Sequence, residues 1–421
     1  MYTEYAHNPI LDSHCFIPDV EAHVWDDGRI YLYGSFDIQG KQVFCSDVYH
    51  VYSSDDMIHW TDHGQAFSLS DTEWAKDCGA LYAPDCAYRD GWYYLYYCVP
   101  DGRCGVAKSQ SPTGPFEDVG PLEGVWGIDP AVLIDDDGQA YLYWGQLTWG
   151  KVAKLKDNMV EIEQDTAVTP LTVEEHEFHE GSSVKKIGDK YYVLFADTHR
   201  HGDTNKQGGR PSCLGYAVSD HPMHGFKYGG VVIDNWYSDP YVWNNHGCMV
   251  CFKGQWYVFY HRSTYGCVFS RHVCVEKINI NPDGSITEVV QTSSGVGESI
   301  PACECIPAYL ACELRGHVFK SGDFDKEVNL LLTEIHHGDS ALYRYLSFEG
   351  EDTFNITMQA DNRCRVELYI DGKYHADMRV PATDVLTTHT CKIPPVHGVH
   401  TLSLHFYGEM SHTQVETFSF A

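Results

Sequence analysis

A short aromatic phrase recurs five times along the chain: Gly28-Arg-Ile-Tyr-Leu-Tyr33, Gly91-Trp-Tyr-Tyr-Leu-Tyr96, Gly138-Gln-Ala-Tyr-Leu-Tyr143, Asp189-Lys-Tyr-Tyr-Val-Leu194 and Gly254-Gln-Trp-Tyr-Val-Phe259. Aligned on Tyr31, Tyr94, Tyr141, Tyr192 and Tyr257, the copies recur at roughly 45–65 residues, a period that suggests propeller blades or a similar array. Residues at equivalent places in a radial repeat converge in space. Asp19, Asp129 and Glu180 each stand about twelve residues ahead of the tyrosine in their repeat, and Asp85 and His246 occupy nearly the same place in the other two. The alignment therefore predicts that three carboxylates share one site, in a ring with Asp85 and His246.

The text between these phrases reads as nearly all β. Short runs rich in Tyr, Trp, Val and Ile alternate with Gly, Asp, Pro and Asn clusters, and helical periodicity is scarce. Tyrosine suits half-buried strand faces, so most of the 29 tyrosines are packing residues on this reading. Each of the five units holds enough strand text for about four short strands, as a propeller blade requires. The predicted architecture is a five-bladed β-propeller over residues 1–300, a linker over 301–316, and a smaller β-sandwich over 317–421. The last segment lacks the aromatic phrase but alternates, as in Phe354-Asn-Ile-Thr-Met358 and Cys364-Arg-Val-Glu-Leu-Tyr-Ile370, with Asp371-Gly372 as a hairpin turn.

Charge excludes some partners. A formal net charge of −30 argues against nucleic acid, which demands a basic footprint, and against docking on anionic membranes. A neutral oligosaccharide fits such a chain without strain. The opening Met1-Tyr-Thr-Glu-Tyr-Ala-His-Asn8 has neither a basic nor an apolar signal-peptide region, and no apolar run approaches the ~20 residues of a spanning helix. The sixteen cysteines lack zinc-finger spacing: Cys248 and Cys251 form a CxxC and Cys303 and Cys305 a CxC, with no second pair. Several others, such as Cys98, Cys267 and Cys274, lie in strand text, where a thiol behaves as a small hydrophobe. Reduced, buried thiols and a cytoplasmic location are the expectation.

Carboxylates gathered in one cavity cannot ionise independently, because like charges raise at least one pKa and keep an acid protonated near neutral pH. One acid, one base and a third group that tunes them is the equipment for cleaving a glycosidic bond. Phe36, Trp74, Trp126, Phe178 and Trp243 stand near these carboxylates in sequence and are candidate stacking faces for a sugar.

Several segments in order resemble family 43 glycoside hydrolases: Ile17-Pro-Asp-Val20 with Ala22-His23, Tyr31-Leu-Tyr-Gly-Ser-Phe-Asp37, Tyr82-Ala-Pro-Asp85, Gly127-Ile-Asp-Pro-Ala131, Phe178-His-Glu-Gly181, Asn245-His-Gly247, Tyr260-His-Arg-Ser263 and Ser270-Arg-His-Val-Cys-Val275. The resemblance implies a five-bladed propeller that inverts the anomeric centre of β-xylosides or α-L-arabinofuranosides. It implies Asp19 as general base, Glu180 as general acid and Asp129 as the residue that orients the acid and raises its pKa. By the same resemblance Ala83 and Arg271 border the sugar pocket, and His246 sits beside a structural calcium ion or a water network, no cofactor being required for the chemistry. The sequence departs from the family pattern in Val20 after Asp19 and in Ser182 after Gly181, neither of which removes a carboxylate. Gly398-Val-His-Thr-Leu-Ser-Leu-His-Phe406 is similar to the end of family 6 carbohydrate-binding modules. Alternatives stay open at this point: a non-catalytic glycan-binding propeller, a retaining enzyme of the invertase kind, a galactosidase or arabinanase on the same frame, and a zinc or redox protein.

Overall fold

The computed structural model describes residues 5–147, 149–200, 211–322, 330–410 and 412–421. Strands dominate, and each aromatic phrase forms the second strand of a repeat. The first repeat is the antiparallel sheet β1 (Glu21–Val24), β2 (Ile30–Tyr33), β3 (Val48–Ser54) and β4 (Thr61–Ser68). The second is β5 (Tyr82–Arg89), β6 (Trp92–Cys98), β7 (Arg103–Ser109) and β8 (Glu117–Trp126). The third contains β9 (Ala131–Ile134), β10 (Ala140–Gln146), β11 (Trp149–Lys154) and β12 (Val168–Thr172). The fourth contains β13 (Phe178–Ile187), β14 (Lys190–Asp197), β15 (Cys213–Ser219) and β16 (Lys227–Asp234). A single pairing of Gln146 with Glu180 joins the third and fourth into one curled, eight-stranded sheet. The fifth, β17 (Met249–Phe252), β18 (Gln255–Arg262) and β19 (His272–Ile278), has three strands among the described residues where the sequence suggested four.

Turn chemistry explains why the phrase opens on glycine. Asp90–Gly91 and Lys253–Gly254 have positive φ at both residues (52° and 85°, 49° and 83°), which tight hairpins demand and glycine supplies without a steric penalty. The tyrosines then enter the layers between sheets. Tyr31, Tyr33, Tyr49 and Tyr97 share one buried cluster between the first two repeats, and Tyr192, Tyr216 and Tyr260 share another between the fourth and fifth. The first strands pack together across the centre: β1 lies against β5 and β17, and β9 against β5 and β13.

The remaining strands form two six-stranded sheets. One holds β20 (Ile300–Pro301), β22 (Glu313–Arg315), β25 (Ser340–Glu349), β27 (Cys364–Ile370), β28 (Lys373–Val380) and β30 (His397–Gly408). The other holds β21 (Ile306–Pro307), β23 (Phe319–Ser321), β24 (Leu331–Thr333), β26 (Thr353–Ala360), β29 (Thr383–Lys392) and β31 (Gln414–Phe420). Strand β26 alternates strictly between half-buried and buried residues, the period of a sheet with one face on a core. Tyr343, Phe354, Phe418 and Phe420 meet edge-on or tilted within that core. The stretch 301–316, expected to be a linker, belongs to these sheets instead. Its short strands pair with β25 and β31, and Ala302, Ile306, Ala308, Leu310 and Leu314 are buried in the same core. All sixteen cysteines are free thiols, most of them buried or half-buried. No helix of the described residues is long and apolar enough to cross a membrane.

Candidate active site

The three carboxylates with equal offsets do meet. Asp19 precedes β1, Asp129 precedes β9 and Glu180 is the third residue of β13, and all three line one cavity of ≈ 160 Å³. Asp19 and Asp129 adopt the same left-handed backbone (φ 56° and 59°), an uncommon state for a residue with a side chain. The repetition of that conformation in two repeats aims both carboxyl groups at the centre. Asp85 does not join them. It stands nine residues ahead of its tyrosine rather than twelve, and so lies deeper along its strand. There its carboxylate accepts from the N–H groups of Cys86 and Val132 at 2.6 Å each and faces His23 Nε2 at 2.7 Å.

Asp19 is held by a cation. Arg271 Nη1 donates to Asp19 Oδ1 at 2.7 Å, and Ser35 Oγ donates to Oδ2 at 2.8 Å. The guanidinium is fixed from behind by Asp37, which accepts from Nε and Nη2 at 2.9 Å each and from the Arg271 backbone N–H at 3.0 Å. His261 Nδ1 lies 3.4 Å and His246 Nδ1 3.9 Å from Asp19 Oδ1. Burial pushes the Asp19 carboxyl up, but Arg271, with the two histidines, outweighs it and holds the group well below the usual carboxylate range. Of the cavity's carboxyls, Asp19 is thus the one held toward its ionised form.

Asp129 has the opposite environment. Burial, and then the charges of Glu180, Cys98 and Asp19, push it well above the carboxylate range, against which the Gly181 N–H acts weakly. The carboxyl pushed toward its protonated form is thus Asp129, with Glu180 as its charged neighbour. Gln146 Nε2 donates to Glu180 Oε2 at 3.1 Å and orients that carboxyl. The Asp129 N–H points at Cys98 Sγ at 3.3 Å. Gly181 has φ 75°, and a Cβ there would stand 3.1 Å from the His246 ring, so a side chain would strain the backbone and require the imidazole to give by a few tenths of an ångström.

Of the expected sugar contacts, Ala83 and Arg271 line the cavity, as does Trp243. Four aromatics do not. Phe178 is fully buried against Phe195, because a register shift between Phe178 and Glu180 turns the two side chains to different sides. Phe36 stacks on His50 at 4.8 Å, and Trp74 stacks on Tyr97 at 5.9 Å under the Arg103 guanidinium. Trp126 stands 61% exposed at the end of β8, outside the cavity lining. The residues that complete the wall instead are Phe44, Cys45, Tyr82, Ile128, Gln146 and Asn244. Of these Tyr82 and Ile128 lie in segments that drew attention in the sequence, without being singled out there. Asp37 and His261 also lie in such segments but carry no charge-relay signature of their own.

The side chains around His246 do not by themselves supply a calcium ion's oxygen shell. A hard cation takes six to eight oxygens, whereas His246 offers one imidazole nitrogen 3.9 Å from Asp19 and Asp129, and Asp19 is already bonded to Arg271 and Ser35. Among the described residues the side chains that group at metal-ligand distances are Glu21, His23 and Asp85.

One carboxyl held ionised beside another pushed toward its protonated form, with a third in the same cavity, is equipment suited to acid–base hydrolysis. The model for glycosyl hydrolases family 43 matches residues 6–286, and the chain belongs to that family and is a glycoside hydrolase. It is 31% identical to a xylosidase/arabinosidase of Thermoclostridium stercorarium, with 96% of each chain covered. Among solved structures it is similar to an arabinoxylan arabinofuranohydrolase from Bacillus subtilis, crystallised with cellotetraose (26% identity, TM-score 0.59, covering 98% of this chain and 97% of that one). It is also similar to a β-xylosidase/α-arabinofuranosidase from a compost metagenome, crystallised with xylotriose in a calcium-free form (28% identity, TM-score 0.58, covering 68% and 97%).

Proposed function

We propose that the chain is an inverting exo-glycosidase that removes a β-D-xylosyl or α-L-arabinofuranosyl residue from hemicellulose-derived oligosaccharides. On this reading the five repeats are the blades of a five-bladed β-propeller, and the two C-terminal sheets are a β-sandwich. The observation that carries it is the electrostatic contrast within one cavity: Asp19 held ionised by Arg271, and Asp129, beside Glu180, pushed toward its protonated form. The names of the relatives, xylosidase/arabinosidase and arabinofuranohydrolase, support the pentosyl specificity.

In the proposed reaction Glu180 donates a proton to the departing glycosidic oxygen. Gln146 keeps the Glu180 carboxyl in place while this happens. Asp19 draws a proton from a water that attacks the opposite face of the sugar, and an inverting pair needs ~6.5–9.5 Å between carboxyls to admit that water. Asp129, itself pushed toward its protonated form, lies beside Glu180 and positions the acid. The cavity, walled by Phe44, Tyr82 and Trp243, is of a size for a single sugar ring, which favours attack at a chain end or a side branch. Release of p-nitrophenol from the aryl β-D-xyloside and the aryl α-L-arabinofuranoside tests the reading, with Glu180→Ala alongside. Turnover that collapses in the variant is expected. A protein that binds xylo-oligosaccharides without turning over any of them would be a glycan-binding module instead.

A further inference from the structure

Further along the first strands, past the cavity, lies a second ionic cluster that the hydrolysis does not use. Glu21 and His23 come from β1, Asp85 from β5 and Lys185 from β13, so three repeats contribute. Glu21 is 3% exposed and Asp85 2%. The candidate ligand atoms of Glu21, His23 and Asp85 all lie within 4.8 Å of one another. Two carboxylates and an imidazole at that separation are a donor set for a divalent transition-metal ion.

Two further observations say what fills the space. Lys185 Nζ stands 3.3 Å from Glu21 Oε2, so an ammonium already sits against the cluster. The other oxygen, Glu21 Oε1, is buried and makes no hydrogen bond of good geometry, with the Ser183 hydroxyl nearby. A divalent ion added to this arrangement would be pressed against a positive charge in a poorly solvated place. We propose that the Lys185 ammonium is the resident cation of a preformed metal site, and that removing it opens Glu21, His23 and Asp85 to a divalent ion of the zinc or manganese kind. The lysine ties the fourth repeat to the first, and through the shared field of Asp85 to the second. This does the structural work that a bound ion does elsewhere, without depending on metal supply.

The test uses full-length protein and zinc or manganese chloride as probes, with metal analysis after dialysis and thermal unfolding as readouts. Wild type is expected to keep no stoichiometric metal and to melt at the same temperature with chelator, zinc or manganese. Lys185→Met is expected to bind about one ion more per chain than the double variant Glu21→Gln/Lys185→Met, and to melt higher when the ion is added. The double variant subtracts binding at the exposed thiols of Cys251, Cys303 and Cys305. Lys185→Arg, which keeps the charge, should stay metal-independent. If Lys185→Met does not fold, Lys185→Gln, equally uncharged but polar, replaces it in the same comparison. A stoichiometric ion in wild type that Glu21→Gln removes would overturn the proposal. So would a folded Lys185→Met that binds no more metal than the double variant.

Discussion

Arg271→Met removes the one guanidinium that faces two buried carboxylates. Its fork is bound by Asp37 at 2.9 Å through two nitrogens, and its remaining arm reaches Asp19 at 2.7 Å. Taking one partner from a buried pair typically costs about 3–5 kcal/mol, because the charge left behind is desolvated and unpaired. Here the loss belongs at neutral pH. In wild type the folded-state pKa of Asp19 is depressed, so its contribution to stability is present above the ordinary carboxylate range and disappears only as pH falls far below it. In Arg271→Met burial acts without its main counterweight, the Asp19 pKa rises, and the carboxyl protonates in mild acid, which relieves the strain. Urea unfolding should therefore show a gap between wild type and variant of about 3–5 kcal/mol near pH 7 that narrows toward about pH 4. The acid limb of kcat/KM, absent from the ordinary range in wild type, should appear in the variant as the base is lost to protonation. A gap below about 1 kcal/mol, the size expected of a solvated pair, or one that does not change with pH, would refute the electrostatic description of Asp19.

The two catalytic carboxylates should separate by leaving group: Glu180→Gln should spare aryl glycosides with good leaving groups relative to natural oligosaccharides, whereas Asp19→Asn should abolish both, as initial rates on paired substrates will show. Asp129→Asn puts an uncharged isostere where the carboxyl is already pushed toward its neutral form, so stability near pH 7 should change little while kcat on natural oligosaccharides falls through loss of positioning, as paired unfolding and rate measurements will show. Phe178→Ala should cost about 3–5 kcal/mol in stability as a core truncation with little change in KM, whereas Trp243→Ala, on the cavity wall, should raise KM with little change in melting temperature. Gly181→Ala should lose about 1–2 kcal/mol for the left-handed backbone alone and should lower kcat by displacing His246.

Repetition made the centre of the site legible. A common offset from Tyr31, Tyr141 and Tyr192 places Asp19, Asp129 and Glu180 together, whereas Asp85, expected in the same ring, lies outside the cavity because its offset is nine residues and not twelve. The aromatic platform was not legible, because orientation in a strand depends on bulges that sequence spacing does not reveal. The shift beside Phe178 is the plainest case. Nor did the sequence disclose Asp37, which acts through Arg271 from 234 positions away, or Gln146, whose role depends on the pairing of β10 with β13. The strands β20 and β21 escaped notice because two residues each, one of them proline, are too short to display alternation.

The most direct measurement is proton NMR of the first sugar released from the better of the two aryl pentosides, recorded before mutarotation. Water activated by Asp19 on the face opposite the leaving group predicts a product of inverted anomeric configuration. A product that retains the configuration of the substrate would contradict Asp19 as general base and require a covalent intermediate.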